Sequence, residues 1–491
     1  MTNDFALAIL YFLLYPNPPF ALRHAMSRKH KNPLDLPEIR QRISLFLSVK
    51  DAISCARVCK DWREDFVSAV WRIIDDAACR KLTRTPLVAD ILPKHGHRIR
   101  IIQTKSPDDL GGRLQTASIS RLRSLSIEMN ANSRILAHCG DIIHRNIDTL
   151  SRIELSLPLV MPSELLFNVD VLSPHAHSGS TSRLAHLKLH GLRMTRNSFS
   201  RLLRICPALE TLDICKTVVE SSVITDTHQH RRLDRLIASI DQVFIPDFSC
   251  KNAPSLLHHF PNLTQWETWQ ESNTVRDTEA ITKDIRHCCP MIHTVRAREG
   301  ALSLPNLLFY GFKNLTEITF QPKQLSPRLV LAILTHKNTL KTVVTSVPNQ
   351  SIFQSTFVPT LPADLLLLEY NWDILFLPSQ CVHLRKLSLP LHEVRIQDIE
   401  NVQWMCEDLE VLHIRIKDLH TREQVERALE LWSSGKKSRS IGKNASLSNH
   451  SQFMLASSSH QGTPIEARVA KHLLQFKKLQ YVWLGTKVWR A

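Results

Sequence analysis

Glycine is scarce in this chain, 12 of 491 residues. Neither GxGxxG nor GxxxxGK occurs, so the loops that cradle phosphates are missing. HExxH and GxSxG are absent too, and the acids fall in no defined pair. Without a nucleophile and base set, the expectation is no intrinsic catalysis and no cofactor. No apolar run reaches the roughly 20 residues that cross a bilayer, which excludes a polytopic membrane protein. The 11 cysteines are odd in number and include no CxxC, so neither a zinc ribbon nor a redox pair is suggested. Free thiols in a reducing compartment, cytosol or nucleus, are the reading. The 24 histidines show no metal spacing, so no metal is expected; His175, His177 and the HQHRR run at 228–232 read as solvated loop residues. Acid is in deficit: 46 Asp and Glu against 62 Lys and Arg give a net charge of +16. That excess favours an acidic partner without choosing among nucleic acid, an anionic membrane and protein.

What is present suits a packed core. Hydrophobic residues are 43% and charged residues 22%, which rules out global disorder. The length admits about three domains, or one repeating domain. Phe5 to Tyr15 is an apolar run of eleven residues closed by Pro16, Pro18 and Pro19. It has only Asp4 charged before it, where a signal peptide has a positive region. Residues 1–32 read as a disordered or mis-called extension, with length alone leaving a signal-like segment open.

Residues 33–75 read as three short helices. Asp35 or Leu36 caps the first, with Pro37 and Glu38 in its first turn, where Pro and an acid suit the helix start. Ile39, Ile43, Phe46 and Leu47 lie on one apolar stripe. Asp51 caps the next helix, whose Ile53, Ala56 and Val58 are apolar. Trp62, Phe66, Val70 and Ile73 continue a helical stripe beside Trp71. So small a unit buries little core alone and completes itself against a partner. The pattern resembles the F-box: Leu36-Pro37, Glu38-Ile39, Ile43 and Phe46-Leu47, then Val58-Cys59 and Trp62, then Trp71. Arg40 stands where that family usually has an apolar residue, a departure that bears on adaptor affinity and not on the fold. The other reading is a plain three-helix fragment with a Trp core.

After a linker helix at 76–96, residues 97–491 repeat. An apolar-x-x-apolar-x-apolar template starts at Leu122, Leu150, Leu184, Leu209, Ile240, Leu263, Ile292, Leu315, Leu340, Leu365, Leu384, Leu409 and Leu479, with Ile99 a weaker copy. The intervals run from 19 to 34 residues, except one of 70, near the period of leucine-rich repeats. Three residues before an anchor stands Cys206, Cys289, Cys381 or Cys406, or else Phe260, Phe312 or Phe476. Each repeat reads as helix, buried Cys or Phe plug, turn and strand. Cys288 and Cys289, beside His287, also have the makings of an activated thiol, but the plug reading is preferred. Residues 174–182 and 217–232 read as surface loops. Residues 433–464, rich in Ser, Lys, Gly and Asn, read as a disordered insertion. The last residues, with Trp483 and Trp489, read as a cap.

The array is similar to the degenerate leucine-rich repeats that follow F-boxes in fungal and animal proteins. The expected fold is α/β, a horseshoe of short parallel strands backed by helices behind a small all-α F-box. The resemblance implies a non-catalytic substrate receptor of an SCF-type cullin–RING ubiquitin ligase. Leu36, Pro37, Ile39, Ile43, Phe46, Leu47, Val58 and Trp62 would meet or support a Skp-type adaptor. The repeats would hold a target protein in the cytoplasm or nucleus. Strand residues two, four and six after an anchor face solvent. They include Trp269, Arg296, Arg298, Glu369, His413, Arg415, Tyr481 and Trp483, and the paired cations there favour an acidic or phosphorylated target. The rival readings are a repeat scaffold without a ligase role, a nucleic-acid binder exploiting the charge, and an enzyme. No known nucleic-acid module supports the second, and the missing motifs argue against the third.

Overall fold

A computed structural model of the chain describes residues 34, 36–75, 88–105, 118–128, 133–157, 166–173, 182–220, 228–239, 243, 255–268, 278–297, 304–321, 325–345, 372–441, 463–484 and 487–490. Two compact units are present: Met1–Leu233 with Pro246–Ala253, and Asp234–Ile245 with Pro254–Ala491. Among the described residues, no helix is long and apolar enough to cross a membrane.

The first unit opens with α1 (Pro37–Ser44), α2 (Val49–Ala56) and α3 (Lys60–Trp71). Pro at the start of α1 suits its first turn. The cap of α2 is Ser48 and not Asp51: its hydroxyl accepts the Asp51 amide at 3.2 Å. Asp51 lies one turn inside, where its charge still suits the helix dipole. Helix α2 ends at Ala56, so Val58 lies beyond it. α3 leads straight into β1 (Ile73–Ile74), and the chain continues through α4 (Val88–His95) to β2 (Ile101–Thr104). The Arg72 carbonyl accepts the amides of Arg100 and Ile101 at 2.9 and 3.0 Å, so the last helix of the module is tied to the first strands.

Then follow β3 (Ser124–Glu128), α5 (Ser133–Asn146), β4 (Arg152–Ser156), β5 (His186–His190), β6 (Arg193–Thr195), α6 (Arg196–Ile205), β7 (Thr211–Asp213) and β8 (Val218–Glu220). Strands β1 to β5 and then β7 pair in parallel, each with the next along the chain. A small parallel pair, β6 with β8, lies apart. The reading of 217–232 as a surface loop therefore fails at both ends: β8 occupies its start, and His230 near its end is 2% exposed.

The second unit repeats the plan through β9 (Arg235–Ile237), β10 (Gln265–Thr268), α7 (Thr278–Cys288), β11 (Thr294–Ala297), α8 (Leu304–Gly311), β12 (Glu317–Phe320), α9 (Pro327–Leu334), β13 (Thr342–Thr345), α10 (Phe376–Gln380), β14 (Lys386–Val394), α11 (Ile396–Asn401), β15 (Val411–Ile416), α12 (Arg422–Ile441), α13 (Ile465–Leu473), β16 (Tyr481–Leu484) and β17 (Lys487–Arg490). Strands β9 to β16 are parallel neighbours in chain order. β17 turns back antiparallel on β16 and ends the ladder. α12 runs nine residues into the stretch read as an insertion from 433, because its Ala428, Leu429 and Trp432 bury an apolar face that carries the helix forward. Residues 442–462 lie outside the described set, as do residues 1–33 and 76–87.

The repeat logic holds at the atomic level. Every described anchor leucine from Leu122 to Leu479 is fully buried. Burial of one such side chain stabilises by about 1.5–3 kcal/mol, and a strand of four or five residues with one buried face needs it. The plug residues are buried as well. The anchor amide turns back onto the plug carbonyl: Leu209 onto Cys206, Leu263 onto Phe260 and Leu384 onto Cys381, at 3.1 to 3.2 Å. One anchor was misplaced by the sequence pattern. Leu233, not Ile240, opens the repeat of β9: its amide donates to His230 Nδ1 at 3.1 Å, while His230 Nε2 donates to the Cys206 carbonyl at 2.8 Å. Ile240 lies outside the described residues. His230 is thus a polar plug and not a solvated loop histidine. Asn146 and His336 do the same work in their repeats, bonding the Ile119 and Leu308 carbonyls at 3.0 and 2.9 Å.

Candidate functional site

Helix α1 turns an unexpected side inward. Arg40 and Ser44, four residues apart, are its buried positions. Arg40 Nε meets Asp65 Oδ2 of α3 at 2.6 Å, and its Nη1 donates to the Leu34 carbonyl at 2.9 Å. Gln41 Nε2 adds a bond to the other Asp65 oxygen at 3.4 Å. Arg40 is therefore a strut between helices. Its side chain is turned into the module, so the departure at this position bears on the packing of α1 on α3.

The price falls on the apolar stripe. Ile39, Ile43 and Leu47 are only half-buried, and Pro37 is exposed. Phe46 is 87% exposed, Val58 63% and Leu36 45%. Leu45, which the sequence pattern passed over, is 56% exposed; its place beside Phe46 in SLFLS was the available signal. Trp62 is half-buried with its ring 5.5 Å from Phe66. Leaving a Phe ring in water forgoes about 1.5–3 kcal/mol. Several such side chains on one small module mark an interaction face.

The solvent-facing strand rows are the second candidate. In the second unit, His413 and Trp483 stack at 5.5 Å and Tyr481 and Trp483 at 6.2 Å, on neighbouring strands β15 and β16. Ser388 Oγ of β14 lies 3.4 Å from His413 Nδ1. The two arginines expected on this surface that fall within the described residues are already paired. Arg296 reaches Glu317 at 3.2 Å and Arg415 reaches Glu393 at 2.9 Å. Arg235 and the buried Glu267 pair at 2.7 Å on β9 and β10. These acids, one strand over, offset the cationic character expected of the row. Trp269, Arg298, Glu369, His175 and His177 lie outside the described residues.

In the first unit the same face carries a groove of about 550 Å³ lined by Gln103, Ser126, Glu128, Glu154 and Lys188, among others. Ser126 donates to Glu154 at 2.8 Å, and Arg152 holds the other oxygen of that carboxylate at 2.7 Å. These residues follow Ile99, Leu122, Leu150 and Leu184 by two, four or six positions. The repeat rule reaches them, but a search for aromatics and arginines finds only Arg152 among those named.

The plug thiols are not chemical groups in waiting. Burial pushes Cys206, Cys381 and Cys406 up to about 12 and Cys288 to about 11, and it raises Cys289 further. Cys289 Sγ donates to the Phe260 carbonyl at 3.1 Å. Desolvation thus overrides any activation by His287, which is exposed.

The F-box domain family matches residues 33–64. No curated protein matches the chain. Among solved structures, the leucine-rich repeat-containing protein LegL7 from Legionella pneumophila is similar over 55% of this chain and 87% of its own, at 10% identity and a TM-score of 0.32.

Proposed function

We propose that this chain is the target-binding subunit of an SCF-type cullin–RING ubiquitin ligase. Its F-box docks a Skp-type adaptor, and its strand faces hold the protein to be modified, in the cytoplasm or nucleus. The carrying observation is the F-box match at residues 33–64 on a module that leaves Leu36, Leu45, Phe46 and Val58 in water. The chain's contribution would be proximity: tethering raises the effective concentration of a target lysine beside charged ubiquitin. No residue of the receptor is asked to do bond chemistry.

A second reading has an observation of its own. The Arg72 carbonyl bonds tie α3 to the first strands, as expected if the helices only cap a repeat scaffold. Co-expression of the full chain with a Skp-type adaptor separates the two. The ligase reading expects stable co-purification that Leu36→Ala with Pro37→Ala abolishes. A folded chain that ignores the adaptor would leave the scaffold.

A further inference from the structure

Three metal-donor side chains that no spacing in the sequence links come together on the first unit. His190 ends β5, Asp213 ends β7, and Cys215 follows two residues later. In the parallel register Lys188 pairs with Asp213, and two residues on, the same register brings His190 level with Cys215. Leu187, Leu189, Leu212 and Ile214 point into the core. Alternation along a strand therefore puts His190, Asp213 and Cys215 on the opposite face together. One donor atom from each lies within 4.8 Å of the others.

His190 Nε2 is 2.8 Å from Asp213 Oδ1. Asp213 is thus the close polar partner of that nitrogen, although the contact does not have the geometry of a hydrogen bond. Nothing fits between atoms 2.8 Å apart, so an ion shared by the two would sit to one side of the pair, toward Cys215, with the pair opening slightly. The cluster is also held from behind. The Cys215 amide donates to Asp213 Oδ1 at 3.0 Å. Lys216 is left-handed, φ 58°, and turns the chain just after the thiol. Thr217 Oγ1 bonds the Leu189 carbonyl of the neighbouring strand.

We propose that His190, Asp213 and Cys215 are a three-ligand site for a zinc ion. Imidazole nitrogen, carboxylate oxygen and thiolate sulfur are donors zinc takes, with bonds of about 2.0–2.3 Å. A tetrahedral ion sets such donors roughly 3.3–3.7 Å apart, which modest side-chain rotations reach from the observed cluster. Binding replaces the Cys215 thiol proton, which leaves to solvent. The ion ties β5 to β7. Its fourth position opens on the strand face, where it takes water or a donor from a docked protein. Lys188, which pairs with Asp213 in register, acts on Glu154 on its other side.

The test uses the full chain, stripped of metal and titrated with Co²⁺ as a visible stand-in, then with Zn²⁺. One equivalent of Co²⁺ should give a thiolate charge-transfer band with the d–d bands of a four-coordinate site, and Zn²⁺ should bleach both. Cys215→Ser should remove the charge-transfer band, and His190→Gln should weaken Co²⁺ binding about tenfold or more. Zn²⁺ should raise the Tm of the native chain and not that of Cys215→Ser. Absence of the band overturns the proposal. So does a band undiminished in Cys215→Ser, which would put the metal on another thiol. If Cys215→Ser does not fold, Asp213→Asn and His190→Gln are read through the d–d bands, and unchanged bands in both overturn it equally.

Discussion

Arg40 Nε and Asp65 Oδ2, 2.6 Å apart, join α1 to α3 with both side chains almost out of water. A buried pair gains little over apolar side chains of the same size, but breaking it leaves one charge uncompensated. Asp65→Ala should therefore destabilise the three-helix module by about 3–5 kcal/mol. Arg40→Met with Asp65→Leu should recover most of that. Hydrogen exchange over residues 36–71 reads both variants. An unprotected double variant would mean that the pair specifies the packing and does not merely fit it.

Phe46 gives the cleanest test of the docking face, because its ring has almost nothing to lose inside the folded chain. Phe46→Asp should leave the Tm within about 1 °C and abolish co-purification with a Skp-type adaptor. Retained adaptor binding would move the docking surface off this residue.

Histidines give the chain an acid limit. Burial holds His392 and His472 near 4, with the Glu400 carboxylate working weakly against it at His472. Both imidazoles titrate near 6.5 once unfolded. Between about 6.5 and 4 the unfolded chain takes up protons that the folded chain refuses, so stability falls as pH falls through that window. Each site is worth up to about 3 kcal/mol at the bottom of it. Urea midpoints should drop from pH 7 to pH 5, and His472→Leu should shrink the drop. An equal drop in that variant would show that His472 is not held neutral.

Thiol labelling tests the plug assignment. Cys59 is exposed and should react quickly in the native chain. Cys206, Cys381 and Cys406, with thiols near 12, carry on the order of one thiolate in ten thousand at pH 8. They should stay unlabelled until denaturant is added, as peptide mapping would show. Rapid native labelling of Cys381 would contradict its place in the core.

Target binding should depend on the stacked row of β15 and β16. Trp483→Ala with Tyr481→Ala should weaken capture of the bound target about tenfold or more. Arg296→Glu should matter less, since Glu317 already occupies that cation. Pull-down from the same lysate compares the two. The reverse order would restore the cationic reading of the face.

Much of this was legible because the period carries the physics. Leu209, Leu263 and Leu384 recur with their plugs at a fixed offset, and a strand with one buried face calls for an apolar residue at the anchor. The pattern slipped at Leu233, because its plug is His230, a polar side chain whose two ring nitrogens do the work that Cys or Phe does elsewhere. Ser48 and Asp51 are equally good caps by type, and only the backbone decides which residue precedes the first turn.

The sequence by itself determined the periodic core, the F-box-like helical module and the want of catalytic motifs, since these depend on residue class at local spacing. Tertiary structure decided what depends on neighbours distant in the chain. Asp65 made Arg40 a strut, Glu317 and Glu393 offset Arg296 and Arg415, and the register of β5 on β7 set His190 beside Asp213 and Cys215. Strand pairing brings residues more than twenty positions apart to within a few ångströms, and no local pattern encodes which charge or donor will meet them there.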